Sequence, residues 1–317
     1  MLEAIWNCCI RREKDTIIAE DERGVRKKSE MSDLSFSSTR LPSESEELVS
    51  IPPPAVIAAA EAMGDRDKME DVYCIREDPE ETFLGVFDGH AGARAAHYAK
   101  DAIYEKYKEL KKVTSSMEDA LHETFEQTDV QFLKKALQGD DEWGDGTTAT
   151  VCIIKDGILT VANCGDSEVL IGEQDGYKII TELHRLSNKD EQERVKEVTG
   201  KTLRRVEHPM FRNCSLSVTR AIGDVYFKDP SLTMNKPSGL IATPHVTSIP
   251  LKSGSFVLLG TDGLFEMVKR QKSYEFLYSF IKKMIMQKTP QDVIEKLVRK
   301  AAKESDDNCT AILYIVP

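Results

Sequence analysis

Short apolar runs separated by turn residues dominate the middle of the chain and predict β-strands. Residues 82–87 form such a run, which ends in Asp88-Gly89 and is typical of a buried strand. The Asp156-Gly157 and Asp175-Gly176 pairs are predicted to be hairpin turns, which force the strands on either side to run antiparallel. The remaining strands are predicted at 147–154, 158–163, 168–171, 177–180, 202–206, 215–218, 245–249, 256–259 and 310–316.

Blocks of helical periodicity flank these strands. Small and apolar residues recur at helical spacing over 92–110 and again over 117–132, so we predict a pair of helices that covers one face of a sheet. A further helix is predicted to open at residues 289–292, where an N-cap threonine, a first-turn proline and an acidic residue stand together. Because helices cluster in blocks and do not alternate with strands, the predicted fold class is α+β with a large antiparallel component.

Composition narrows the classes of function. The chain has 317 residues, of which 40% are apolar and 31% charged, as expected for a globular protein. Its net charge of −11 would repel a phosphate backbone, so nucleic-acid binding is not expected. The seven cysteines form no Cys-x-x-Cys pair, and we find neither a membrane-length apolar run nor a basic signal sequence. We therefore predict a monomeric protein without a transmembrane segment, in the cytoplasm and/or the nucleus.

Residues 1–54 differ in composition from the remainder of the chain. Eight serines lie between Ser29 and Ser50, and three prolines close the stretch at 52–54. We predict a flexible serine-rich tail over 1–54 and a catalytic domain over 55–317. Cys8-Cys9, beside two arginines, fits a palmitoylation site, although an unmodified pair is the favoured interpretation.

Acidic residues stand at the ends of predicted strands. Asp88 and Asp262 each follow a buried apolar run directly, at positions where a rigid element holds a binding group. Other acids occur at element edges: at Glu70-Asp71, at Asp166 in a predicted hairpin over 164–167, and at Asp307. Carboxylates that converge repel one another unless a cation neutralises them, and a set of oxygen ligands favours Mg²⁺ or Mn²⁺ over zinc.

Seven short motifs follow one another along the chain. They are Arg66-Asp67-Lys68-Met69-Glu70-Asp71, Val86-Phe87-Asp88-Gly89-His90-Ala91-Gly92, Gly146-Thr147-Thr148-Ala149, Asn163-Cys164-Gly165-Asp166-Ser167, Thr219-Arg220-Ala221-Ile222-Gly223-Asp224, Thr261-Asp262-Gly263 and Asp307-Asn308. In sequence and order they resemble the metal-dependent serine/threonine protein phosphatases of type 2C, the PPM family. The resemblance spans residues 60–317 and implies a four-layer α-β-β-α sandwich with the metal site at one end. It also implies hydrolysis of phosphoserine and phosphothreonine in protein substrates by a metal-bridged water or hydroxide.

The resemblance implies a role for each matching residue. Asp88 bridges two Mg²⁺ or Mn²⁺ ions, Asp262 and Asp307 hold one of them, and the Gly89 carbonyl with a water bound through Glu70 completes the other. Asp166 belongs to a weaker third ion, and Asp71 assists through waters. Arg66 is the phosphate clamp and His90 the general acid for the leaving oxygen. Asp224 is expected to support the fold and not to bind metal. The residues concerned are Arg66, Glu70, Asp71, Asp88, Gly89, His90, Asp166, Asp224, Asp262 and Asp307.

The match has departures, and other functions compete with it. Glu168, Glu266 and Leu183 stand where the family commonly has arginine, aspartate and aspartate. Cys214 and Arg220 have the spacing of cysteine-dependent phosphatases, but β-branched residues between them favour a strand over a phosphate loop. A pseudophosphatase that acts as a binding module is the main alternative, and the acidic net charge disfavours a two-metal nuclease.

Overall fold

The computed structural model describes residues 55–138, 143–211, 213–271 and 274–317. The strands are β1 Val56–Ala62, β2 Val72–Glu77, β3 Thr82–Phe87, β4 Gly89–His90, β5 Gly146–Thr147, β6 Ala149–Lys155, β7 Ile158–Cys164, β8 Glu168–Glu173, β9 Gly176–Ile179, β10 Val206–Glu207, β11 Ser215–Leu216, β12 Ile222–Gly223, β13 His245–Pro250, β14 Phe256–Gly260 and β15 Cys309–Ile315. The helices are α1 Arg94–Leu110, α2 Met117–Gln138, α3 Lys189–Thr199, α4 Val225–Lys228, α5 Pro230–Thr233, α6 Asp262–Gln271, α7 Tyr274–Met284 and α8 Pro290–Glu304.

Two five-stranded antiparallel sheets face each other. The first has the order β1-β15-β14-β8-β9 and the second the order β13-β7-β6-β3-β2. Their inner faces share one apolar core, to which β3 contributes Leu84 and Val86 and β14 contributes Val257 and Leu259. On β3 the alternate residue Phe83 points to the helices on the other side, as the two-residue period of a strand requires. A strand buried on both faces therefore reads as a continuous apolar run.

Helices cover the outer faces and complete the four layers. α1 and α2 pack on the second sheet through a cluster that includes Ile103 and Phe125. α7 and α8 pack on the first sheet through Leu277, Ile294 and Leu297. The predicted cap of α8 is confirmed, because the Thr289 side chain accepts a hydrogen bond from the Asp292 amide. The α+β sandwich is thus the observed fold.

Two local predictions require correction. The segment 164–167, which was expected to be a hairpin, instead carries the chain from β7 in the second sheet to β8 in the first. Gly165 makes this crossing feasible, because its φ is +129° and a Cβ there would lie 2.4 Å from the Thr148 Cβ. The strand predicted at 202–206 shrinks to Val206–Glu207, which pairs with Ser215–Leu216 in a two-stranded sheet. The hairpins at Asp156 and Asp175 are confirmed.

The N-terminal predictions lie outside the described residues. The serine-rich tail over 1–54 and the Cys8-Cys9 lipidation site both stay predictions, as does the domain boundary at 54/55. Within the part of the chain that the structure describes, no helix combines the length and the apolar character needed to cross a bilayer.

Candidate active site

Three carboxylates converge at one end of the sandwich. Asp88 follows β3, Asp166 lies in the crossing between β7 and β8, and Asp262 begins α6 directly after β14. One ligand atom from each lies within 4.8 Å of the others. Both sheets therefore contribute to the cluster, and the strand ends hold its members rigidly.

The electrostatics of the cluster call for a cation. Burial raises the pKa of Asp88 well above its usual value, and the nearby carboxylates of Asp71, Asp262 and Asp166 raise it further. The ligand atoms are all oxygens, which suits Mg²⁺ or Mn²⁺. The donor set present thus fits the divalent ions that the sequence motifs imply.

Asp71 and Glu70 lie beside the cluster and not within its three-carboxylate core. Asp71 is buried and accepts a hydrogen bond from Thr261 Oγ1 at 2.8 Å. Burial raises the pKa of Asp71 to about 7, with a further contribution from the Asp307 and Asp262 charges. Glu70 is half-buried, and burial raises its pKa as well.

Arg66 and Asp307 form an ion pair at the edge of the site. Arg66 Nη2 donates to Asp307 Oδ2 at 2.6 Å, and its Nε donates to the Asp306 carbonyl at 2.8 Å. Asn308 Oδ1 accepts from the Glu70 amide at 2.7 Å. These bonds tie the segment that carries Arg66 and Glu70 to the start of β15. Asp307, which was expected beside Asp262, is therefore oriented by Arg66.

His90 has a partner that sequence reasoning assigned to the fold alone. His90 Nε2 lies 2.9 Å from Asp224 Oδ1 and 3.0 Å from Oδ2. Gly146 leaves room for the pair, because a Cβ there would lie 2.1 Å from Asp224 Oδ2 and 2.5 Å from His90 Nε2. Asp224 thus orients the imidazole. The partners are 134 positions apart in the sequence, so no local sequence pattern predicts this contact.

Sequence reasoning also missed Arg185. Its Nη2 donates to Asp262 Oδ2 at 2.7 Å, and its Nε donates to Asp166 Oδ2. The segment was noted only because Leu183 departs from the family pattern. The one sequence feature that could have indicated its role is its position, because Arg185 is a basic residue two positions after Leu183.

The Cys-x₅-Arg motif does not form a phosphate loop. Cys214 is buried, and Arg220 directs Nη2 to Glu191 Oε1 at 2.6 Å. Burial alone would raise the pKa of Glu191, but hydrogen bonds from Arg194 and Arg220 hold it well below its usual range. Arg220 is therefore committed to a structural ion pair.

An open pocket lies next to the site. Its volume is about 360 Å³, and it is bounded by Lys68–Glu70, by the turn 91–94 and by Gly144-Asp145. Arg94 lies in this wall, with its guanidinium carbon 5.7 Å from the centre of the Trp143 ring. The pocket thus carries two basic side chains, those of Lys68 and Arg94, and two acidic ones, those of Glu70 and Asp145.

The structure thus has a four-layer sandwich with a carboxylate cluster, an arginine and a histidine at one end, which is the arrangement that the type 2C motifs imply. Residues 57–309 match the family model described as protein phosphatase 2C. The chain belongs to the protein phosphatase 2C family. It is accordingly a protein serine/threonine phosphatase, as the motifs predicted.

Individual relatives agree with this assignment. A "probable protein phosphatase 2C 4" of Paramecium tetraurelia is 30% identical over 283 residues, covering 82% of this chain and 92% of the relative. A "probable protein phosphatase 2C 27" of Oryza sativa subsp. japonica is 28% identical over 266 residues, covering 79% and 72%. The crystal structure of a serine-threonine phosphatase 2C from Toxoplasma gondii shares the fold with a TM-score of 0.64 and 19% identity, covering 83% of this chain and 99% of that one.

Proposed function

We propose that the cluster binds Mg²⁺ or Mn²⁺ and that the site hydrolyses phosphoserine and phosphothreonine in proteins. The observation that carries the proposal is the convergence of Asp88, Asp166 and Asp262 within 4.8 Å, next to Arg66 and His90. Asp88 and Asp262 are the principal ligands, supported by Asp307, Glu70 and the Gly89 carbonyl. Two ions held there would supply an activated water and neutralise the phosphoryl oxygens.

The side chains around the cluster perform the remaining tasks. The Arg66 guanidinium offers a planar fork to the phosphoryl group, and its ion pair with Asp307 holds it at the site edge. His90 donates a proton to the serine or threonine oxygen as the ester bond breaks. Asp224 keeps the imidazole in position for this transfer. A leaving alkoxide is a strong base, so this proton accelerates its departure.

The pocket beside the site accommodates the substrate chain around the phosphorylated residue. Lys68 and Arg94 share its walls with Glu70 and Asp145, so the pocket offers partners to both acidic and basic residues near the phosphate. The five described cysteines are buried thiols without disulfides among them, which suits a reducing compartment such as the cytoplasm or nucleus. We extend the proposal to that location.

The decisive experiment measures phosphate release from a phosphothreonine peptide. The purified chain is assayed with Mn²⁺, with Mg²⁺, with a chelator and after thiol alkylation. Turnover that requires a divalent ion and survives alkylation is the expected result. Loss on alkylation would contradict the metal-bound water as the nucleophile, and repeating the assay with Cys214→Ser would test that thiol. Absence of turnover in a folded, metal-loaded protein would favour the pseudophosphatase.

A further inference from the structure

A guanidinium lies inside the carboxylate cluster. Arg185 binds Asp262 and Asp166 through two different nitrogens, and in each case the acceptor is Oδ2. One planar fork therefore bridges two of the three clustered carboxylates. The Arg185 side chain is only 23% exposed, so water screens this interaction weakly.

The backbone around Arg185 is fixed to the loop that carries Asp166. His184 donates its amide to the Gly165 carbonyl at 3.0 Å, and its Nδ1 accepts from the Gly165 amide at 3.0 Å. Burial lowers the pKa of His184 to about 3, so the ring stays neutral and Nδ1 stays an acceptor. Arg185 itself forms a β-bridge with Val218. The two hydrogen bonds between His184 and Gly165 therefore fix the backbone next to Arg185 and hold its guanidinium near the loop of Asp166.

A fixed cation reduces the positive charge that bound metal ions must supply to neutralise the cluster. Three carboxylates within 4.8 Å repel one another, and an arginine offsets one of these charges at any physiological pH. Because the guanidinium binds Oδ2 of both carboxylates, a divalent ion that bound between Asp166 and Asp262 through these same two oxygens would have to displace it. The Arg185 guanidinium and such an ion therefore cannot occupy the space between Asp166 and Asp262 at the same time.

We propose that Arg185 is a resident cation of the cluster, which takes the place of a further divalent ion between Asp166 and Asp262. Asp166 is then neutralised by the guanidinium, and Asp262 offers its other oxygen to an ion that it shares with Asp88. Arg185 is in this sense a positioning residue. The inference rests on the proposed metal site and limits how many ions that site holds.

The test counts bound ions directly. Equilibrium dialysis at a free Mn²⁺ concentration that saturates the unmodified chain is followed by metal analysis of the protein. Arg185→Met keeps the bulk and removes the charge, and we expect it to bind one additional Mn²⁺ per chain. Arg185→Lys, which retains a cation, is expected to keep the original number. Arg76→Met, at an arginine that pairs with Asp101, is the control for loss of an arginine elsewhere.

A second variant keeps the test decisive if Arg185→Met does not fold. Asp166→Asn is expected to leave the number of bound Mn²⁺ unchanged, because the guanidinium and not an ion neutralises Asp166. Loss of an ion in this variant would overturn the inference, as would equal counts for Arg185→Met and the unmodified chain. Equal counts at zero would overturn the proposed metal site as well, whereas equal counts above zero would leave it standing.

Discussion

At the scale of single residues, the cluster depends on the negative charge of each ligand. Asp262→Asn keeps the shape of the side chain and removes one charge, so we expect Mn²⁺ affinity to fall by at least about 10-fold and turnover by about 100-fold. Calorimetric titration with Mn²⁺ and a peptide assay measure the two effects. Asp175→Asn, in the β8–β9 hairpin, is the matched control. Turnover near normal in Asp262→Asn would contradict the site assignment.

The His90–Asp224 pair makes a separable prediction. His90→Ala should slow hydrolysis of a phosphothreonine peptide by about 10²–10⁴-fold, the usual contribution of a general acid. An aryl phosphate has a better leaving group, so its hydrolysis should suffer far less. Asp224→Asn should show the same imbalance with a smaller loss, because the amide oxygen still accepts from the imidazole. Steady-state kinetics on both substrates provide the comparison.

Equal losses on the two substrates would contradict the general-acid role. If Asp224→Asn lowered the stability of the protein and left turnover of both substrates unchanged, Asp224 would have a purely structural role. Asp101→Asn, on the exposed surface of α1, controls for a generic loss of charge.

Single site residues could be predicted from sequence where an acidic residue stands at the end of an apolar run. Asp88 and Asp262 each end a buried apolar run, so their placement at a strand end follows from the pattern of β3 and β14. Asp224 and Arg185 act through partners 134 and 77 residues away. Such contacts arise from the packing of elements, and no local pattern encodes them.

At the scale of elements, strands and caps were predictable, whereas the assignment of strands to sheets was not. The runs that became β6, β7, β8 and β9 follow one another closely, and two short Asp-Gly turns made the β6–β7 and β8–β9 hairpins evident. The crossing at 164–167 has a similar length but switches sheets. Its difference lies in the fit of Gly165 against Thr148, which is a tertiary contact.

The cap of α8 provides a quantitative check at this scale. Thr289 Oγ1 accepts from the Asp292 amide at 3.2 Å and donates to its carboxylate at 2.8 Å. Thr289→Ala should lower the free energy of unfolding by about 1 kcal/mol, which is about 2–4 °C in Tm for a domain of this size. Thermal denaturation measures the shift. Lys296→Ala, on the exposed face of α8, is expected to change Tm little, and an equal shift in both variants would exclude capping as the cause.

At the scale of the whole molecule, the site lies at one end of the sandwich, where strand ends of both sheets bring three carboxylates together. The elements that build it lie within 55–317, and the family match covers 57–309. We therefore expect removal of residues 1–54 to leave turnover of a small phosphate ester within about twofold, because every residue assigned to the site lies on the scaffold formed by 55–317. Steady-state kinetics of the truncated and full chains test this. A large loss would place part of the tail in the catalytic fold.

The acidic site also makes stability depend jointly on pH and metal. The pKa of Asp71 is raised from 3.8 to about 7, chiefly by burial, and those of Asp88 and Glu70 shift in the same direction. Between about pH 4 and about pH 7, the folded, metal-free protein therefore binds more protons at Asp71 than the unfolded chain does. Its contribution to stability is therefore complete below about pH 4 and is lost as pH rises through about 7.

A divalent ion binds the deprotonated carboxylates and reverses this loss. The rise in Tm on adding Mn²⁺ should consequently be larger at about pH 7.5 than at about pH 5. His184, with its pKa lowered to about 3 by burial, contributes the opposite slope, but it does so with and without Mn²⁺ and cancels in the difference. Paired thermal denaturation at the two pH values gives the measurement, and Asp71→Asn should reduce the pH dependence. A Mn²⁺-induced shift that is equal at both pH values would show that the buried carboxylates do not bind the ion.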